Sequence, residues 1–294
     1  MHKTVLLNEA IDNLNIKPNS VYFDGTLGGA GHSEKVCKSF DNVHVIATDR
    51  DEGAIKRAEE KLSKFSCRTD LVLSDYRNID SVLAELGIKK VDAILLDLGL
   101  SSDQLDTSGR GFTFRKDEPL FMTFTENTDE ALTAETILNF WGEETIADIL
   151  YAYSDERYSR RIARGIVEAR KKKDIKTTSD LVEIVRQSVP GGYRDGKTHF
   201  ATKTFQALRI VVNDELGALK DGLSKGWDLL NTNGRMAIIS FHSLEDREVK
   251  NFFREKSKNG EGILINKKPI VPSDIEIEEN PRSRSAKLRI IEKI

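Results

Sequence analysis

From Val21 to Asp97 short apolar runs alternate with longer amphipathic stretches. Val21-Tyr22-Phe23, Val43 to Thr48, Leu71 to Ser74 and Val91 to Leu96 are too short and too uniformly apolar for helices and read as buried strands. Between them, Ser33 to Phe40, Ala54 to Phe65 and Ile79 to Leu86 read as helices; Ile55, Ala58, Leu62 and Phe65 share one helical face. Ala10, Ile11 and Leu14 mark an opening helix that ends near Pro18. Strands alternating with helices predict a parallel sheet covered on both faces.

The pattern changes at about Asp103. Up to about Thr202 no buried strand is evident, and Ala131 to Trp141, Glu144 to Tyr153, Tyr158 to Lys172 and Ser179 to Val189 all read as helices. The α/β pattern then resumes: one long helix from Lys203 to Leu230, a turn at Asn231-Thr232-Asn233-Gly234, a strand from Met236 to Ser240, a helix from Glu248 to Lys256 and a last strand from Leu288 to Ile291. The expected organisation is therefore a discontinuous α/β domain, residues 1–102 and 203–294, with an all-helical insertion at 103–202.

Each early strand ends on an acid. Asp24 follows the first, Asp49 the second, Asp75-Tyr76 the third, and Asp97 ends the fourth. After Asp24 come Gly25, Gly28, Gly29 and Gly31, a turn that lets backbone approach a ligand closely. It is not a dinucleotide fingerprint, because the third glycine would fall at Glu34, and the Gly-Lys-Ser/Thr of a phosphate loop is missing. An acid at the head of the loop suits a cationic ligand without phosphate, such as S-adenosyl-L-methionine. Asp49 stands where a carboxylate can accept from ribose hydroxyls, and Asp75-Tyr76 can bracket an adenine. Any one of these acids alone would be an ordinary turn or cap residue; the set of four points to a cofactor.

Net charge is -3 over 294 residues and does not by itself predict a polyanion partner. The distribution is more telling. Arg157 to Lys176 holds nine bases and two acids, whereas Asp103 to Asp148 holds eleven acids and three bases. A basic helical face suits a phosphate backbone; the plainer reading is a solvated helix paired with its acidic neighbour. Arg282, Arg284, Lys287 and Arg289 form a second basic cluster, expected near the ligand crevice. Cys37 and Cys67 fit no metal-ligand spacing and predict no disulfide framework, which suits a reducing compartment. With no signal-peptide core at the first residues and no apolar run of membrane length, the expected location is cytoplasmic.

Five words carry a family resemblance: D-L-G-L-S-S-D-Q-L-D (97–106), R-G-F-T-F (110–114), F-Q-A-L-R-I-V-V-N-D-E-L (205–216), F-H-S-L-E-D-R (241–247) and N-P-R-S-R-S-A-K-L-R (280–289). Together they resemble the bacterial ribosomal RNA small subunit methyltransferase H family. The resemblance implies a Rossmann-like class I methyltransferase sheet with an inserted all-α subdomain. It further implies S-adenosyl-L-methionine as cofactor and N4-methylation of a decoding-centre cytosine of 16S rRNA, either free or within the 30S subunit; no metal and no membrane are expected. Carried over residue by residue, cofactor contacts fall on Ala30, Gly31, His32, Asp49, Tyr76, Asp97 and Gln104. Catalytic candidates are Asp97, which can accept from the target amine, and His242, Ser243 and Glu245, which follow the strand Met236 to Ser240. Otherwise Glu245-Asp246-Arg247 would simply cap the next helix. The chain departs from the family at Ala30, usually glycine, which fits if φ is negative there; at Tyr76, usually Phe; and at Phe121-Met122-Thr123-Phe124, usually Asp-Met-Arg-Met. Phe112, Phe114 and Phe241 are candidates for stacking on an extruded base. A same-fold enzyme acting on DNA or a small amine, and a non-catalytic RNA-binding protein, are the alternatives.

Overall fold

The structure, a computed structural model, describes residues 3–100, 105, 108–125, 131–196 and 198–294. The parallel strands form as their apolar runs dictate: β1 Val21–Asp24, β2 His44–Asp49, β3 Arg68–Leu73 and β4 Val91–Asp97. With β5 Leu230–Ser240, β6 Gly262–Leu264 and β7 Lys287–Lys293 they make a seven-stranded sheet in the order β3-β2-β1-β4-β5-β7-β6. β3, β2, β1, β4 and β5 are parallel, while β7 runs antiparallel to β5 and to β6. The order reverses at β1, so the carboxyl ends of β1 and β4 flank the point where open α/β sheets bind ligands. The central strands are buried on both faces. Tyr22, Val45, Leu95 and Ile239 belong to one apolar cluster, and Phe23, Ile46, Leu96 and Ile238 to the other.

The chain divides into two compact units, residues 1–99 with 216–294, and residues 100–215. The second is helical: Ala134–Phe140, Glu143–Ser154, Ser159–Arg170, Thr178–Ser188 and Thr202–Asn213 surround a core that includes Ile137, Leu150, Ile162, Leu181 and Leu208. The single helix expected from Lys203 to Leu230 is two, Thr202–Asn213 and Glu215–Leu229. Asp214 between them is left-handed (φ 48°), and the Asn213 side chain leaves the helix to donate to the Met122 carbonyl (2.7 Å) and accept from the Phe124 amide (2.8 Å). Periodicity runs on across such a break because each half keeps its own apolar face. The chain therefore passes from the helical unit into the sheet unit at residue 216, not 203.

Two further differences have local causes. The turn expected at 231–234 lies within β5 as a bulge: Val91 pairs with Leu230 and Ala93 already with Arg235, and Asn233 takes φ 63°. Cys37 and Cys67, which by spacing alone predict no disulfide, form one, with Cα atoms 5.4 Å apart. They are 30 residues apart in sequence, and only the packing of the helix Gly31–Ser39 beside the start of β3 brings them together. No helix among the described residues is long and apolar enough to cross a membrane.

Candidate active site

The loop from Gly25 to Ala30 is held from every neighbouring strand end. The Gly25 amide donates to Leu95 O of β4 (2.9 Å), and the Leu27 amide to Thr48 O of β2 (3.0 Å). The Asp49 carboxylate accepts from the Gly28 amide (2.8 Å) and the Asp51 amide (2.9 Å). Thr26 Oγ1 accepts from the Asp97 amide at 2.6 Å. From the β3 end, the Tyr76 side chain lies against Gly25 and Gly222: a Cβ built on Gly25 would stand 2.8 Å from Tyr76 Cβ, and one on Gly222 2.6 Å from its ring. Glycine is required at both places by close approach.

Ala30 caps the helix Gly31–Ser39 with φ 55° and ψ 27°. The negative φ that would suit alanine is therefore not what the loop adopts; this is the left-handed region, and the buried methyl group is held there by packing in the core. Gly31 is crowded by the Thr4 side chain, and the His32 imidazole meets the Val5 carbonyl at 3.2 Å. The His32 ring thus anchors the N-terminal segment, leaving backbone rather than imidazole for a ligand.

Asp24, Asp49 and Asp97 carry the electrostatics. Burial is the main force raising all three, with bonds from Ser33 and from the Thr26 amide opposing it at Asp24. Asp24 is pushed up to about 6. Asp97 reaches about 7, burial being helped by the negative charges of Asp24 and Glu245 and opposed by the Gly99 amide. Asp97 Oδ1 is buried and has no hydrogen-bond partner among the described residues, whereas Asp24 is tied to Ser33 Oγ at 2.7 Å.

The β5 end stands next to β4, with Asp97 opposite Ile239. His242 caps the helix Ser243–Lys258: its Nδ1 accepts from the Glu245 amide (3.3 Å), while Glu245 Oε2 accepts from the amides of Phe241 (2.8 Å) and His242 (3.2 Å). This is a capping box, with histidine in place of the usual Ser or Thr. An accepting Nδ1 leaves the proton of the neutral ring on Nε2. That atom is buried, 3.1 Å from Glu245 Oε1 but not aligned for a hydrogen bond with it. The local structure gives Glu245 the capping role, and Ser243 is exposed. Asp246 pairs with Arg289 (2.7 Å) and Lys287 (3.3 Å), so half of the second basic cluster secures β7 beside the β5 end.

Gln104 lies outside the described residues. The Phe241 ring covers Gly99, where a Cβ would meet it at 2.7 Å. Phe112 and Phe114 are engaged in the helical unit, with Phe124 (5.6 Å) and with His199 (4.4 Å) respectively. Thr26 is a site residue that sequence reasoning misses: nothing in the chain near it signals a bond to an amide 71 residues away.

A cationic, phosphate-free cofactor fits this chemistry. One buried acid, Asp24, and two half-buried ones, Asp49 and Asp97, stand at the ends of three neighbouring strands, each with a raised pKa that a neighbouring positive charge would relieve. The model of the MraW methylase family matches residues 1–294. The chain belongs to the MraW methylase family. Its similarity to curated relatives runs end to end. A ribosomal RNA small subunit methyltransferase H of Acetivibrio thermocellus is 48% identical, covering 100% of this chain and 99% of the relative. That of Brevibacillus brevis is 43% identical, at 100% and 98%. Among solved structures, an rRNA methylase from Streptococcus thermophilus aligns with a TM-score of 0.46 at 11% identity, over 100% of this chain and 99% of that one. This MraW family member is an S-adenosylmethionine-dependent methyltransferase with a Rossmann-like sheet.

Proposed function

We propose that this chain methylates N4 of a decoding-centre cytosine in 16S rRNA, in the bacterial cytoplasm, with the small subunit as substrate. The polymer is the one in the relatives' name. The reading of a base amine rests on one observation: two buried polar atoms without hydrogen-bond partners among the described residues, Asp97 Oδ1 and His242 Nε2, stand at the ends of adjacent strands. One is an acceptor and the other a donor. Cytosine offers the complement, an N4 amine that donates and the N3 and O2 atoms that accept.

The exocyclic amine is a poor nucleophile because its lone pair is shared with the ring. An N4–H bonded to Asp97 Oδ1 is turned out of conjugation, and holding it in place supplies much of the remaining barrier reduction. When bound, the cofactor supplies a methyl group on a positively charged sulfur. With the amine held against it, Asp97 would accept the proton that N4 loses on methylation. His242 Nε2 orients the ring. Ala30, Gly31, Asp49, Tyr76 and Asp97 hold the cofactor, with the His32 backbone beside them, and the helical unit holds RNA.

The test is methyl transfer from radiolabelled S-adenosylmethionine to purified 30S subunits, naked 16S rRNA and duplex DNA. Label in 30S rRNA, lost by at least about 100-fold in Asp97→Ala, is expected. Transfer to DNA alone, or undiminished transfer by Asp97→Ala, would overturn the reading.

A further inference from the structure

The basic segment 157–176 divides into two chemically different halves. Its lysines are largely neutralised within their own unit: Lys171 pairs with Glu168 (2.6 Å), Lys173 with Asp180 (3.4 Å) and Lys176 with Asp174 (3.9 Å). Arg170 is spent on the carbonyls of Leu138 (2.8 Å) and Trp141 (2.7 Å). Arg157, Arg160 and Arg161 are exposed and make no ion pair among the described residues.

Those arginines sit beside a built aromatic support. Tyr158 and Tyr193 meet edge to face at 5.0 Å. The Arg157 guanidinium lies over both rings, at 4.8 and 5.0 Å, and Arg161 lies over Tyr158 at 5.7 Å. Beneath them Glu156 is fully buried. It accepts from the Tyr193 hydroxyl (2.6 Å) with one oxygen and from the Tyr158 amide (2.8 Å) with the other. Its charge is thus consumed in fixing the rings and is not offered to Arg157. Buried carboxylate, two locked rings and a planar cation held over them make an arrangement stiffer than a solvated helix face needs.

We propose that Arg157, Tyr158, Arg161 and Tyr193 form a nucleotide subsite of the RNA substrate, in which an unpaired base stacks on the Arg157 plane while Arg160 and Arg161 take the flanking phosphates. Unpaired RNA bases are recognised by stacking on aromatic rings or guanidinium planes, and unpaired arginines suit the backbone. The subsite rests on the reading of RNA as the acceptor. It sharpens that reading by moving the contact from the lysine run to the arginine–tyrosine cluster.

The experiment measures binding of a fluorescent 20-nucleotide single-stranded RNA against salt, with methyl transfer to 30S subunits assayed in parallel. Arg157→Gln with Arg161→Gln should weaken binding roughly 10-fold or more and lower the salt slope by about 0.7 for each phosphate no longer neutralised. Tyr158→Leu should weaken it roughly 5-fold or more with little change in slope, and Tyr158→Phe should restore it. The same arginine changes should raise KM for 30S subunits while kcat holds. Lys171→Gln with Lys173→Gln, already neutralised locally, should have the smaller effect. Unchanged affinity and slope in the arginine variants, an equal or larger loss in the lysine variants, or no binding by the unaltered chain would overturn the subsite. Should Tyr158→Leu unfold, the arginine pair and Tyr158→Phe still decide. Cluster-dependent RNA binding without methyl transfer would overturn the activity reading and uphold the subsite.

Discussion

The proposed chemistry turns on Asp97, whose charge burial and two neighbouring acids make expensive. Its folded pKa of about 7, like the value of about 6 at Asp24, lies above the ordinary 3.8. Between those limits the folded chain binds protons that the unfolded chain has released. The contribution of these acids to stability is therefore full below about pH 3.8 and is lost as pH rises through 6 to 7. Asp97→Asn removes the buried charge and should raise folding stability at pH 8 by about 1–3 kcal/mol while abolishing turnover. Denaturant unfolding of both proteins checks this, and an Asn variant less stable at pH 8 would contradict it. The same shift governs the ligand. A cation needs both acids ionised, so S-adenosylmethionine should bind about 10-fold more weakly at pH 6 than at pH 8. Calorimetry across that range should show the fall, with a flatter profile in Asp97→Asn; a pH-independent affinity would remove the acids from the cationic part of the site.

At the level of elements, the strands and the acids at their ends are legible in the sequence because a parallel strand buried on both faces is a short apolar run, and the chain must turn where that run stops. Backbone geometry is not. Residue type alone suggests a negative φ at Ala30, whereas its left-handed φ is imposed by the Leu27 carbonyl below it (2.7 Å) and the helix above. Ala30→Val should therefore destabilise the chain by about 2 kcal/mol or more, since a β-branched residue tolerates that region poorly. Ala30→Gly should stay within about 1 kcal/mol, because relief of strain is offset by the lost methyl and a freer unfolded chain. Thermal unfolding separates the two, and equal midpoints would mean that the loop relaxes to negative φ. His242 shows the converse: its motif is visible as a word, but its Nδ1 as a helix cap is a matter of geometry. The bulge at 231–234 and the break at Asp214 escape for a related reason. At Asp214 the helical period is kept on both sides of the break, and at 231–234 the turn residues are drawn into β5 as a bulge, so neither path shows in the pattern.

Over the whole molecule, net charge conceals a division of labour. The sheet unit keeps buried acids at its strand ends. The helical unit keeps arginines at 157, 160 and 161 that make no ion pair among the described residues, and pairs three of the four lysines of 171–176 with acids nearby. Counting charges along the chain finds the basic segment but not which of its members are already spent, since Asp180 meets Lys173 only once the helices pack. The Cys37–Cys67 pair is hidden likewise, by separation in sequence. The central claim, a single-site cytosine N4-methyltransferase of the small subunit, is tested most directly by mass mapping of modified nucleosides in 16S rRNA. The rRNA would come from cells lacking this protein and from the same cells supplied with the unaltered chain or with Asp97→Ala. One decoding-centre cytosine should lose a methyl group on N4 in the absence of the protein, regain it with the unaltered chain and not regain it with Asp97→Ala. An identical modification map in all the strains would contradict the claim.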